Sequence, residues 1–222
     1  MKKGDRPMNK RIMILALIIG FAILNSTLMA DARVNRQESN ETEEDVVVRL
    51  KYDMQELWIE HAWWTRDLIV SRTDELADSK AVLDRLLENQ VDIGNIIKPY
   101  YGEETGNKLT ELLKEHILIG DQLIVATVKG DKTNAEKLNT EWQQSADKIT
   151  AFLASVNPNW SKKELSNMFH THLKLTADEV NHRMKKDWAA DIKTSELNEL
   201  HLVHMGEYLT DGIVKQYPEK FK

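Results

Sequence analysis

The sequence predicts an all-α fold, a bundle of six helices arranged as three antiparallel hairpins. Three observations predict it. Apolar residues from Val46 onward recur at spacings of 3 and 4, the period of a helix with one buried face. Alternating strand patterns are missing. Turn and cap residues fall at intervals that leave long helices and short loops, and short loops make antiparallel neighbours. The chain has 222 residues, 41% hydrophobic and 30% charged, enough to bury a core and too apolar to stay disordered.

The first 32 residues read as an export segment. Lys2, Lys3, Arg6, Lys10 and Arg11 precede the apolar run IMILALIIGFAIL, Ile12 to Leu24, and Ala30-Asp31-Ala32 fits a small-residue cleavage site. A run this short favours a cleaved signal peptide, with an uncleaved N-terminal anchor as the alternative and a core helix as a remote one. Either of the first two places the globular part outside the cytoplasm, secreted or held on the outer face of the membrane. Residues 33–44, VNRQESNETEED, are polar and patternless and read as a flexible linker, leaving 45–221 for the bundle.

The first helix is expected over about Glu43 to Leu76. Its core stripe is Val47, Leu50, Met54, Leu57, His61, Trp64 and Leu68. The second runs from Ser79 to Ile97 and stops at Pro99 and Gly102. The third starts near Glu103 and ends at Gly130, a natural C′ glycine. Asp131 caps the fourth, which Asn157-Pro158 breaks. Ser161-Lys162-Lys163-Glu164 is a capping box opening the fifth, expected to reach about Ile192. Thr194 or Ser195 caps the sixth, which ends before Pro218.

An internal repeat of about 55 residues accompanies this pattern. LWIEH at 57–61 lies over LLKEH at 112–116, and Leu68-Ile69-Val70 over Leu123-Ile124-Val125. A fainter third copy, Met168 to His172, follows at an offset of 56, with Thr176 where the first copy has Thr65. Asn89 falls over Ser145.

Several chemistries are excluded or unsupported. No cysteine means no disulfide, thiolate metal site or Cys nucleophile. A net charge of -6 argues against nucleic acid as a partner. No glycine-rich phosphate loop and no G-x-S-x-G are present.

The candidate site is a set of four mid-helix histidines, His61, His116, His172 and His204, each inward by spacing. Glu179 and Asp211 lie two turns from His172 and His204 as possible ligands or ring-orienting groups. Bundle cores that gather imidazoles and carboxylates hold metals, so a transition metal or haem is one expectation. The other is four hydrogen-bonded packing residues, since a buried imidazole needs partners for both nitrogens. Neither H-E-x-x-H nor paired E-x-x-H is present. Glu60 and Glu115, adjacent to His61 and His116, point about 100° away, toward solvent or another helix. Trp63 and Trp64 flank the stripe as core or as the wall of a pocket, Trp160 staples a loop, Arg66 and Asp67 suggest an internal ion pair, and Arg183 to Lys186 a solvated face.

LWIEHAWWTR (57–66), DIGNIIKPYYGEE (92–104), LLKEHI (112–117), NPNWSKKEL (157–165), HLKLTADEV (172–180) and LTDGIVKQYPEKF (209–221) resemble a group of small helical proteins of spore-forming bacteria, over nearly all of 48–221. Members carry names such as glycosyltransferase or acetylglutamate kinase. The nucleotide folds those names imply are α/β with glycine-rich turns, and no strand pattern is present here. No catalytic residue carries over. The functional expectation is an exported, non-enzymatic binding or interaction module for a small ligand or a cell-envelope partner, touching the membrane only through its N-terminal segment. A metal- or haem-binding bundle and a transferase are the alternatives.

Overall fold

The computed structural model describes residues 42–222. The signal or anchor (1–32) and most of the linker lie outside the described residues. The chain divides after Val46, and Val47–Lys222 is the unit that carries the bundle. Of the first unit, Thr42 to Val46 are described. Thr42 and Asp45 cap one another, the Thr42 amide donating to Asp45 Oδ2 and the Asp45 amide to Thr42 Oγ1, so helix begins inside the expected linker.

The helices are α1 (Glu43–Thr73), α2 (Ser79–Tyr101), α3 (Glu103–Val128), α4 (Lys132–Val156), α5 (Lys162–Met184) and α6 (Trp188–Gln216), followed by a short 3-10 turn, Pro218–Phe221. Consecutive pairs form the three expected hairpins. α2 packs on α3 and α4 on α5, joining the hairpins in series. Gln55 donating to Glu207, and Trp63 to Glu199, bring α6 back against α1. No described helix is long and apolar enough to cross a membrane.

The first helices of the hairpins, α1, α3 and α5, meet in the interior. Ile69, Ile124 and Val180, one from each, form a single cluster. Each lies eight residues after a buried histidine: His61, His116 and His172. The positions three before those histidines (Trp58, Leu113, Phe169) and seven before (Met54, Leu109, Leu165) are buried in all three helices. One register of apolar positions thus recurs in all three helices and forms the shared centre of the core.

Three boundaries differ from expectation. α2 does not stop at Ile97 but continues through Pro99 to Tyr101. Pro99 costs only one hydrogen bond in a last turn, while Tyr100 stacks on Phe221 and Tyr101 packs against Trp160 and Tyr217, holding that turn in place. α5 ends at Met184, eight residues early. Lys186 takes φ 59° and the Asp187 amide reaches back to His182 O, a C-terminal motif usually signalled by glycine. Asp187, not Thr194 or Ser195, then caps α6 by accepting from the Ala190 amide.

Other expected boundaries stand. Asp131 accepts from the Asn134 amide and Gly130 sits at φ 71°. Ser161 Oγ accepts from the Glu164 amide, but Tyr208 completes the box: its hydroxyl accepts from the Ser161 amide and donates to Glu164. Trp160 is buried against α6 and donates to Leu209 O. A Cβ built on Gly212 would lie 1.9 Å from its indole nitrogen, so only glycine admits this staple.

Candidate functional site

Three of the four histidines converge. His61, His116 and His172 line one cavity of about 280 Å³ in the half of the bundle toward the α3–α4 turn. Its walls are mostly apolar, with Leu68, Leu86, Ile117, Ile124 and Val180 facing Trp142. Its rim reaches the surface at Glu136 and Asn139 of α4 and Asn181 of α5, all exposed.

Each imidazole is tied through Nδ1 to the second helix of its own hairpin. His61 Nδ1 lies 3.2 Å from Gln90 Nε2, His116 Nδ1 2.7 Å from Ser145 Oγ, and His172 Nδ1 2.8 Å from Asn198 Oδ1. These partners assign the tautomers of His116 and His172. Asn198 spends its amide hydrogens on Thr176 and Glu179, and Ser145 spends its hydroxyl hydrogen on Trp142 O. Both therefore accept at the imidazole, and His116 and His172 carry the proton on Nδ1. At His61 the Gln90 amide has two hydrogens for three acceptors, Leu86 O, Asn89 Oδ1 and the imidazole, and fixes no tautomer. The cavity is thus offered the Nε2 lone pairs of His116 and His172.

All three rings are held neutral. Burial lowers His116 to about 3 and His172 to about 4, and lowers His61 well below its ordinary value, the other two imidazoles adding repulsion at His61. The rings of His61 and His172 are 5.4 Å apart, and His116 stacks on Trp142 at 5.4 Å.

Two hydroxyls complete the polar surface, each one turn after a histidine. Thr176 Oγ1 accepts from Asn198, which leaves its hydrogen to give. Thr65 Oγ1 is buried with no hydrogen-bond partner at all. Both residues line the cavity. Of the two carboxylates that line the cavity, Glu136 lies at the exposed rim and Asp121 is engaged by Arg72 through two hydrogen bonds of 2.7 and 3.0 Å.

The remaining site expectations are corrected. His204 and Asp211 are exposed on α6, away from the other imidazoles. The stripe Leu197, Leu200, His204 faces outward, and the buried face is Asp191, Thr194, Asn198, Leu202, Met205. Apolar spacing alone chose the wrong face because the upper half of the buried one is polar. Its partners come from other helices: Asp191 holds Arg66 through two bonds and Arg183 through one. Arg66 therefore pairs with Asp191 and Glu179, not Asp67, and Arg183 is nearly buried rather than on a solvated face.

Glu179 is buried but bonds Asn198 and Arg66, not a cavity imidazole, so it orients His172 through Asn198. Burial raises its carboxyl to about 7, against the bonds from Asn198 and Arg66. Trp63 is exposed and Trp64 packs under Arg85. The tryptophan in the cavity wall is Trp142, which helical spacing alone could not separate from the general core. Glu60 and Glu115 pair with Arg85 and Lys148 of their own hairpins, as their angular offset implies. No group of three or more His, Asp or Glu side chains among the described residues is placed to hold a metal ion. Comparison with family models, curated proteins and solved structures finds no match to this chain.

Proposed function

We propose that the protein is an exported, non-enzymatic binding module whose small ligand occupies the cavity ringed by His61, His116 and His172. The observation that carries this reading is a mostly apolar cavity of about 280 Å³ lined by three neutral imidazoles and by the Thr65 hydroxyl, which is buried with no hydrogen-bond partner. Buried polar groups are normally satisfied, and each exception calls for a partner. An engineered cavity of roughly 150 Å³ admits benzene, so the volume suits a ligand of one or two rings. Export rests on the basic and apolar pattern of residues 1–32. The shared register of α1, α3 and α5 supports an origin of the three hairpins by repetition of one His-bearing unit.

Toluene titrated into the full chain and followed by 1H–15N NMR tests the reading. A single saturable site that shifts amides of α1, α3 and α5 is expected, and Ala177→Phe, which fills the cavity, abolishes it. Saturable binding of neither toluene nor phenol, or binding untouched by Ala177→Phe, would refute the module as described. Protease accessibility on intact cells tests export. Metal analysis and a haem titration test the alternative of a metal- or haem-binding bundle, for which the Nε2 lone pairs of His116 and His172 would be the donors. Stoichiometric zinc or copper, or a Soret band lost in His172→Ala, would replace the small-molecule reading.

A further inference from the structure

The polar atoms of the cavity are not scattered. Thr65 follows His61 by one turn of α1, and Thr176 follows His172 by one turn of α5. The two rings approach to 5.4 Å. His61, Thr65, His172 and Thr176 therefore form one polar floor, faced by the apolar wall and Trp142. Thr65 is 8% exposed, and its hydroxyl can both give and take a hydrogen bond yet does neither within the protein. His172 presents a lone pair at Nε2, because Asn198 fixes its proton on Nδ1.

Resting on the binding-module reading, we infer that the ligand is an uncharged molecule with an apolar, ring-sized body and one hydroxyl group. That hydroxyl donates to His172 Nε2 and accepts from Thr65 Oγ1. The class is that of phenols and small hydrophobic alcohols.

Alternatives fit the same surface worse. A carboxylate would meet the lone pairs of His116 and His172 with no cation to balance it. No arginine or lysine lines the cavity among the described residues, and the guanidinium that reaches its wall, Arg72, is spent on Asp121. An ammonium on the floor would be desolvated away from Glu136, which lies at the exposed rim, and beside Asp121, which is already paired with Arg72. A plain hydrocarbon would fill the wall and leave Thr65 and the imidazoles unpaired. A water molecule would satisfy the floor but not the apolar remainder of the space.

Four probes that share a ring and differ in one substituent separate these cases: phenol, toluene, benzoate and benzylammonium, titrated into the full chain at pH 7.5. Phenol is expected to bind at least tenfold more tightly than toluene, and benzoate and benzylammonium at least tenfold more weakly than phenol. Phenol is also expected to move the His172 Nε2 resonance in long-range 1H–15N spectra. Thr65→Val should bring the phenol-to-toluene ratio within about threefold. Thr65→Ser, which restores a hydroxyl, should restore the ratio. Toluene binding as tightly as phenol, or benzoate or benzylammonium binding more tightly, overturns the hydroxyl assignment while the binding module stands. A ratio unchanged in Thr65→Val overturns it as well. Binding of none of the four overturns both.

Discussion

His61, His116 and His172 pay for their burial with charge: each is kept neutral in the folded chain. The consequence is a stability that depends on pH. As pH falls below about 6.5, an unfolded imidazole takes up a proton. The folded chain does not follow until about 4 at His172 and about 3 at His116. The unfolded state then binds more protons, so stability drops on acidification, by about 1.4 kcal/mol per pH unit for each imidazole in that window. Glu179 acts oppositely. Its carboxyl is raised to about 7, so its contribution is full below about 4.5 and is lost as pH rises through 7. Three imidazoles outweigh one carboxyl between pH 6.5 and 5. Urea unfolding at pH 7.5, 6.5, 5.5 and 5.0 should show a monotonic fall in stability below 6.5. A flat profile would mean that the native cavity admits protons freely.

At the scale of the helix, two junctions among the described residues carry a non-glycine residue at positive φ, Glu75 between α1 and α2 and Lys186 between α5 and α6. Lys186 holds a left-handed backbone without being glycine, which costs roughly 1–2 kcal/mol in an L-residue. Lys186→Gly should stabilise the chain by about 0.5–1 kcal/mol, and Asp187→Ala, which removes the cap of α6, should cost about 1 kcal/mol. Both are read from denaturant midpoints. A loss of stability in Lys186→Gly would show that the lysine side chain contributes more than its backbone costs. The α5–α6 junction also decides which face of α6 is buried. A helix thought to begin at Thr194 or Ser195 invites Leu197 and Leu200 as its core stripe. A helix that begins at Trp188 instead buries Asp191, Thr194 and Asn198.

For the molecule as a whole, the bundle is closed by ions as well as by apolar packing. Asp191 of α6, Arg66 of α1 and Arg183 of α5 bind three different helices together. Burial pushes Asp191 up, but bonds and charge from Arg66, reinforced by Arg183, more than offset this and hold it below its usual value. Asp191→Ala would leave Arg66 without its two-bond partner and Arg183 without one of its acceptors. Breaking a buried pair costs about 3–5 kcal/mol, and a loss of that order is expected in equilibrium unfolding. A loss below about 1 kcal/mol would place the cluster among solvent-screened surface pairs.

The helical period, the caps at Asp131 and Ser161, the glycine at 130 and three of four interior histidines were legible in the residues themselves. Each rests on local physics: a 3.6-residue period, an orphan amide, a backbone that needs positive φ. Tertiary structure decided the rest. Which polar residues of α6 turn inward depended on Arg183 of α5, across the turn, and on Arg66 of α1, which lies over a hundred positions away in the chain. Which tryptophan walls the cavity depended on how α4 leans across α3. A pattern within one helix reports how much of it is buried; only the partners opposite determine whether a polar face can be the buried one.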